Sequence, residues 1–277
     1  MSVTRAATLD EALARIAAGA RPVAGGTAFR LDAAAGKPVP ADLVAIGALL
    51  PKGIAGSRIG AGTDLELLRW GNVPLLSAAA ADVAAPNIRR LATLGGTIGW
   101  RAGCLLPALL ALDAQVGTTH GPRPLADWLA RPEGLVLSVT IAPLAHQIWR
   151  KTGLRAGFCP AIIAAAGSFS LEGDRIAAVR LAVGGGAVAP ARLPETEGWL
   201  LGQPLATLDR EVLRERIEAE IAAPDCAFRS ARYRRRVAAN ALVAGLVGLA
   251  PLPRPARHRR RGSVPSGRAA ARGQGGG

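Results

Sequence analysis

Two short glycine-centred segments carry the clearest chemistry in this chain: Ala24-Gly25-Gly26-Thr27 and Thr93-Leu94-Gly95-Gly96-Thr97. Paired glycines allow positive φ and turn successive backbone N–H groups onto one concave face. Such a nest binds phosphate oxygens without basic side chains. The hydroxyls of Thr27 and Thr97 add possible donors. Each segment is expected just after an extended stretch. Two separate nests suggest a pyrophosphate held between two subdomains, as a dinucleotide requires. Either loop alone reads as a tight turn. Neither a GxGxxG fingerprint nor a P-loop is present, so a Rossmann or Walker site is not supported.

Other reactive residues are scattered. Cys104, Cys159 and Cys226 show no CxxC spacing, and His120, His146 and His258 are equally isolated. No catalytic side chain and no metal site is expected from such a set. Redox chemistry in this protein would need an organic cofactor or a partner that carries the metals.

Composition sets the wider limits. Half of the 277 residues are apolar and 19% are charged, which suits a globular chain of one large or two modest domains. The longest clean apolar run, 241–252, contains two glycines and a proline and is too short to span a bilayer. No basic segment leads into an apolar stretch at the N-terminus, so neither a signal peptide nor a membrane association is expected, and the location is read as cytoplasmic. The net charge of +14 invites a nucleic-acid reading, but residues 251–277 hold seven arginines and no acid, leaving +7 on the rest. This Pro/Arg/Gly-rich tail is read as disordered and solvated. Without interleaved aromatics or a reader motif, Arg257 to Arg261 offer only non-specific attraction to nucleic acid.

The elements that must position the loops follow from periodicity. Residues 8–20 predict a helix, with Thr8 as N-cap and Glu11 three residues on. Short strands are expected over 21–24, 42–46 and 58–61, and helices over 63–70, 75–85 and 107–112. The pattern over 135–143 is β-like. Residues 162–171 and 176–183 form two strands about a turn at 172–174. Helices are expected over 192–201, 209–222 and 230–249.

Taken in order, several stretches resemble the flavoprotein subunits of the xanthine dehydrogenase, aldehyde oxidase and carbon monoxide dehydrogenase family. Arg21-Pro-Val-Ala-Gly-Gly-Thr27 resembles its first FAD loop, and Ile59-Gly-Ala-Gly-Thr63 its IGAxT junction. Ala85-Pro-Asn-Ile-Arg-Arg-Leu-Ala-Thr-Leu-Gly-Gly-Thr97 is the most specific match, followed by Leu109-Leu-Ala-Leu-Asp-Ala114. Trp149-Arg-Lys-Thr-Gly-Leu-Arg155 is similar to the family's YRKxxxR element. Leu181-Ala-Val-Gly-Gly185, Leu200-Leu-Gly-Gln-Pro204 and Tyr233-Arg234 are similar to its C-terminal domain.

The resemblance implies an α+β protein. A bilobal FAD-binding domain of the vanillyl-alcohol-oxidase-like (PCMH) type would cover 1–148, with lobes at about 1–50 and 51–148. A small α+β C-terminal domain would cover 149–250. It implies an oxidoreductase subunit whose FAD diphosphate lies across Ala24, Gly25, Gly26, Gly95 and Gly96, with hydrogen bonds from Thr27, Thr93 and Thr97. The flavin ring would pack near Ile98 and Leu137, with Lys151 at its polar edge. Molybdenum cofactor and two iron–sulfur clusters would sit on a large and a small partner subunit of a heterotrimer, and FAD would pass their electrons to an external acceptor. One departure stands out. Where relatives continue with an acidic residue, this chain has Trp100-Arg101 and then Cys104. That change motivates a rival reading, a flavin-free scaffold subunit, and a standalone flavin oxidoreductase is a further alternative. Trp100 and Arg101 could stack on or pair with the cofactor, and Cys104 is read as a packing residue.

Overall fold

A computed structural model of the chain describes residues 1–155, 159–226 and 229–248. The basic tail and Leu249 lie outside the described residues. The elements run β1 (Ser2–Arg5), α1 (Leu9–Ala17), β2 (Arg21–Val23), α2 (Thr27–Ala34), β3 (Asp42–Ala45), β4 (Ile54–Ala55), β5 (Arg58–Gly60), α3 (Leu65–Arg69), α4 (Pro74–Ala81), α5 (Pro86–Arg89), α6 (Leu94–Trp100) and α7 (Leu105–Ala111). They continue with β6 (Gln115–Thr118), β7 (Gly121–Pro124), α8 (Leu125–Ala130), β8 (Val136–Thr140), β9 (His146–Gly153), β10 (Ala161–Glu172), β11 (Arg175–Gly185), β12 (Val188–Arg192), α9 (Pro194–Leu200), α10 (Arg210–Glu220) and α11 (Ala231–Gly248).

The first lobe is a parallel sheet in the order β1-β3-β2, with α1 crossing between its first two strands in sequence. Thr8 caps α1 as its sequence predicts: its Oγ1 accepts from Glu11 N at 3.2 Å, and the Glu11 carboxylate accepts from Ala7 N. The helix stops at Ala17, short of the expected residue 20, and Gly19 at φ +101 turns the chain into β2. No helical period marks the segment after Thr27, yet α2 forms there. None of its residues is buried, which is why no apolar stripe announced it.

The second lobe is an antiparallel sheet in the order β4-β5-β8-β6-β7. Ile59, Val139 and Val116 stand in one cross-strand row and are all buried, forming the floor of the core. Helix α6 packs on β8, and α3, α4 and α7 contribute to the same core. The ion pair of Arg89 and Glu66 fixes their arrangement. Arg89 Nε donates to Glu66 Oε2 at 2.6 Å, and its Nη1 donates to the carbonyls of Ala81, Val83 and Ala84. A single buried guanidinium therefore ties α3 and α5 to the turn after α4, including Ala84 at φ +40. The expected helix over 75–85 ends early for this reason.

The third layer is the antiparallel sheet β12-β11-β10-β9. Its central strands are buried on both faces. Ile163, Ala165 and Phe169 belong with the core under α11, whereas Ala164, Ala166 and Ala182 belong with the core of the first two lobes. The small residues on this second face admit α7, every residue of which is buried. Ser168 Oγ donates to Ala111 O at 2.5 Å, and Asp113, just beyond α7, pairs with Arg180 and Arg192 at 3.3 and 3.4 Å. Strands β9 and β12 are additional to the sequence expectation. The long hairpin of β10 and β11 turns at Gly173, φ +62, as expected.

Arg89→Met should destabilise the protein by about 3–5 kcal/mol in denaturant unfolding, because it removes the closer of the two cations paired with the part-buried Glu66 and leaves the carbonyls of Ala81, Val83 and Ala84 without their donor. Burial works to raise the pKa of Glu66, but the guanidiniums of Arg89 and Arg69 outweigh it and hold it below the ordinary value. This carboxylate therefore contributes stability above the ordinary glutamate pKa, and that contribution fades as pH falls through its lower folded value. Glu66→Gln should flatten the acid limb of a stability-against-pH curve.

Candidate functional site

The two glycine segments meet. A Cβ on Gly25 would fall 1.7 Å from the Leu91 carbonyl oxygen and 3.3 Å from Ala92 Cα, so only glycine lets the first loop lie against the backbone entering the second. Gly26 follows at φ +70 and acts as N-cap of α2, with Thr27 the first helical residue. Among the described residues the amides of Gly25 and Gly26 and the hydroxyl of Thr27 donate to no protein acceptor. Buried amides without partners are rare, so such groups face solvent or a ligand. They stand where the N-terminus of α2 favours negative charge.

The second segment is built differently. It does not follow a strand, and its glycines have ordinary φ within α6. Leu94 N donates to Thr63 O and Gly95 N to Ala61 O at 2.9 and 2.8 Å, while Leu65 N donates to Ala92 O. Gly96 N donates to the Thr93 hydroxyl, which caps the helix, and Thr97 Oγ1 donates to Thr93 O. The expected nest of free amides is therefore absent here, because these donors are spent in stitching the loop onto residues 61–65. Gly95 is glycine for contact: its Cβ would sit 2.8 Å from that of Ala61. Thr93 acts inward, as a cap.

The remaining candidates separate. Ile98 is fully buried in the core beneath α6. Leu137 is half-buried on β8 beside a depression of about 320 Å³ that Arg58, Gln115, Ser138 and Thr140 also line. Lys151 lies on β9 in another groove, of about 370 Å³, with Asp82, Thr152, Gly153, Leu154 and Arg155. Both volumes suit part of a small molecule. Lys151 Nζ donates to the Asp82 carbonyl at 2.6 Å, and the Asp82 carboxylate accepts from the Trp149 indole at 2.7 Å. Asp82 was not legible as a site residue, since a lone acid ending an alanine-rich helix carries no motif. Arg89, through its bonds on either side of Asp82, connects this groove to the helix leading into the second loop.

The altered segment has its own internal logic. Trp100 ends α6 with its indole N–H 3.4 Å from Asp32 Oδ1 on α2, so it ties the two loop-bearing helices together. The bond donated by Lys37 first, and that donated by Trp100 after it, hold the Asp32 carboxyl below its ordinary pKa. Arg101 takes φ +55 and Gly103 φ +99, which turns the chain directly into α7. Cys104 is buried, and burial pushes its thiol pKa up, as suits packing rather than reactivity. Among the described residues no group of three or more His, Cys, Asp or Glu side chains could hold a metal. No single helix there is long and apolar enough to cross a membrane.

Residues 1–139 match the family model described as FAD binding domain in molybdopterin dehydrogenase, and residues 155–247 match the CO dehydrogenase flavoprotein C-terminal domain. No curated protein matches the sequence. Among solved structures, the fold is similar to the Cu,Mo-CO dehydrogenase in its cyanide-inactivated form, with a TM-score of 0.76 at 20% identity over 90% of this chain and 98% of that one. Quinoline 2-oxidoreductase from Pseudomonas putida 86 gives a TM-score of 0.72 at 19% identity, over 90% of this chain and 98% of that one. Carbon monoxide dehydrogenase from Hydrogenophaga pseudoflava, in a form lacking the Mo-pyranopterin moiety, gives 0.76 at 20% identity, over 89% and 96%. At these identities the likeness is one of fold.

Gly25→Ala should cost at least ~3 kcal/mol, since backbone must move to admit the methyl. Gly26→Ala, with nothing nearer than 3.8 Å, should cost only the left-handed φ, about 1 kcal/mol. Denaturant unfolding of the two variants side by side checks the contrast.

Proposed function

Because the chain belongs to the family of the FAD binding domain in molybdopterin dehydrogenase, we propose that it is the electron-transfer flavoprotein subunit of a molybdenum hydroxylase complex. A large subunit with molybdenum cofactor and a small subunit with two iron–sulfur clusters would complete that complex, in the cytoplasm. The chain would divide at about residue 148 into FAD-binding and C-terminal domains. FAD, when bound, supplies a junction between one-electron donors and a two-electron acceptor.

The reading rests on one observation above the others. The first glycine loop lies against the backbone that enters the second, and it presents amides with no protein acceptor at the start of α2. The Gly25 and Gly26 amides and the Thr27 hydroxyl would donate to the diphosphate. Ala24 lies at the entry to this loop. Gly95, Gly96 and Thr97, held by Thr93, would supply a close backbone wall opposite. Ile98 would support that wall from the core, and Leu137 would offer apolar surface to the cofactor. Lys151 keeps protons beyond the one given to Asp82, and a cation there would stabilise negative charge on a reduced ring. The chain's part is thus to bind, orient and tune electrostatically.

Thr27→Asp separates this reading from a flavin-free scaffold. A carboxylate in the first turn of α2 suits the helix dipole, so the folded protein should be unharmed or slightly stabilised. The same charge would oppose a diphosphate, and FAD affinity should fall by about 100-fold, about 2.7 kcal/mol. Titration of the apo-chain with FAD, followed by flavin fluorescence, measures both proteins. Failure of the wild type to bind FAD would favour the scaffold.

A further inference from the structure

Arg234 of α11 is 4% exposed and, among the described residues, has no carboxylate among its contacts. Its Nη1 donates to the Ile162 carbonyl at 2.6 Å, and its Nε has no acceptor. Gly186, at φ +61, leaves room for the guanidinium, whose Nη1 is 3.4 Å from the position a Cβ would take there. The one sulfur it reaches is that of Cys226, 2.9 Å from Nη2. A buried guanidinium is stabilised by an anion, and a neutral thiol is a poor acceptor. Cys226, unlike Cys104 and Cys159, is exposed to solvent. Beside it in the chain stand Asp225, whose carboxylate accepts from Ala231 N at 2.5 Å, and Arg229, bridged to Cys226 through backbone and stacked on Tyr233. Asp225 is thus already engaged at the start of α11, and the Arg229 guanidinium lies over the Tyr233 ring.

We propose that Cys226 is held as a thiolate by Arg234 and is a modification site for low-molecular-weight disulfides. In the exchange, the Cys226 sulfur bonds to one sulfur of the disulfide, and the other leaves as a thiolate. One S–S bond forms as one breaks, with no net oxidation. The other two thiols are shielded by burial, so the reaction is confined to one position. This site is independent of FAD binding, since none of its residues belongs to the glycine loops or the Lys151 groove.

The test uses the full chain and an aromatic disulfide whose released thiolate absorbs visible light, with the reaction rate followed across pH. The expected result is one fast-reacting equivalent, lost in Cys226→Ser. Its rate should level off at least one pH unit below the value of about 8.5 for an ordinary thiol. At neutral pH the gain should be only about threefold, because a less basic thiolate is also a weaker nucleophile. Arg234→Met should return the midpoint to the ordinary value, and Arg234→Lys should keep it low. A wild-type midpoint at or above the ordinary value overturns the proposal, as does a fast phase that survives Cys226→Ser. Should Arg234→Met not fold, the wild-type profile alone decides.

Discussion

The contact between the Gly25 backbone and the Leu91 carbonyl is the constraint around which this molecule is arranged. It presses the entry of one helix, α2, against the approach to another, α6. A side chain of any size at Gly25 would separate them. Everything nearby serves that approach. Residues 61–65 take up the amides of the second loop, and Arg89 holds the turn that feeds it. The Trp100 indole reaches Asp32 farther along both helices. The result is asymmetric. One loop has used its donors to become a wall, and the amides of the other meet no protein acceptor among the described residues.

A second constraint joins this site to the rest of the chain. Helix α7 leaves the altered segment after Cys104 and runs wholly buried between the second lobe and the C-terminal sheet. Close packing of this kind transmits position, because neither side can shift without opening a void. The alanine and serine face of β10 makes room for the helix, and the Asp113 carboxylate gathers two arginines at its end. Lys151 stands on the edge strand of that same sheet, so its groove is placed by the packing of α7 and by the bonds flanking Asp82.

Much of this was legible beforehand. Thr8 with Glu11 marked the start of α1, and the β-like pattern over 135–143 marked β8. The turn at Gly173 marked the β10–β11 hairpin. The α+β class and the family followed from ordered motifs. What escaped notice had weak local signals. Helix α2 buries nothing, so no periodicity betrays it. Strands β9 and β12 are edge strands of the C-terminal sheet and draw their order from neighbours.

The glycine pairs draw the boundary most clearly. Their residue types suggested phosphate chemistry for the two taken together, although either alone reads as a tight turn. Backbone freedom suggested the same role for both. Tertiary structure assigned the roles separately: positive φ at Gly26, close contact at Gly25 and Gly95, and a capping bond at Gly96. A glycine in sequence states only that a side chain is missing. Whether that absence serves a turn, a contact or a ligand depends on which distant backbone lies opposite, and folding alone brings Leu91 and Ala61 there.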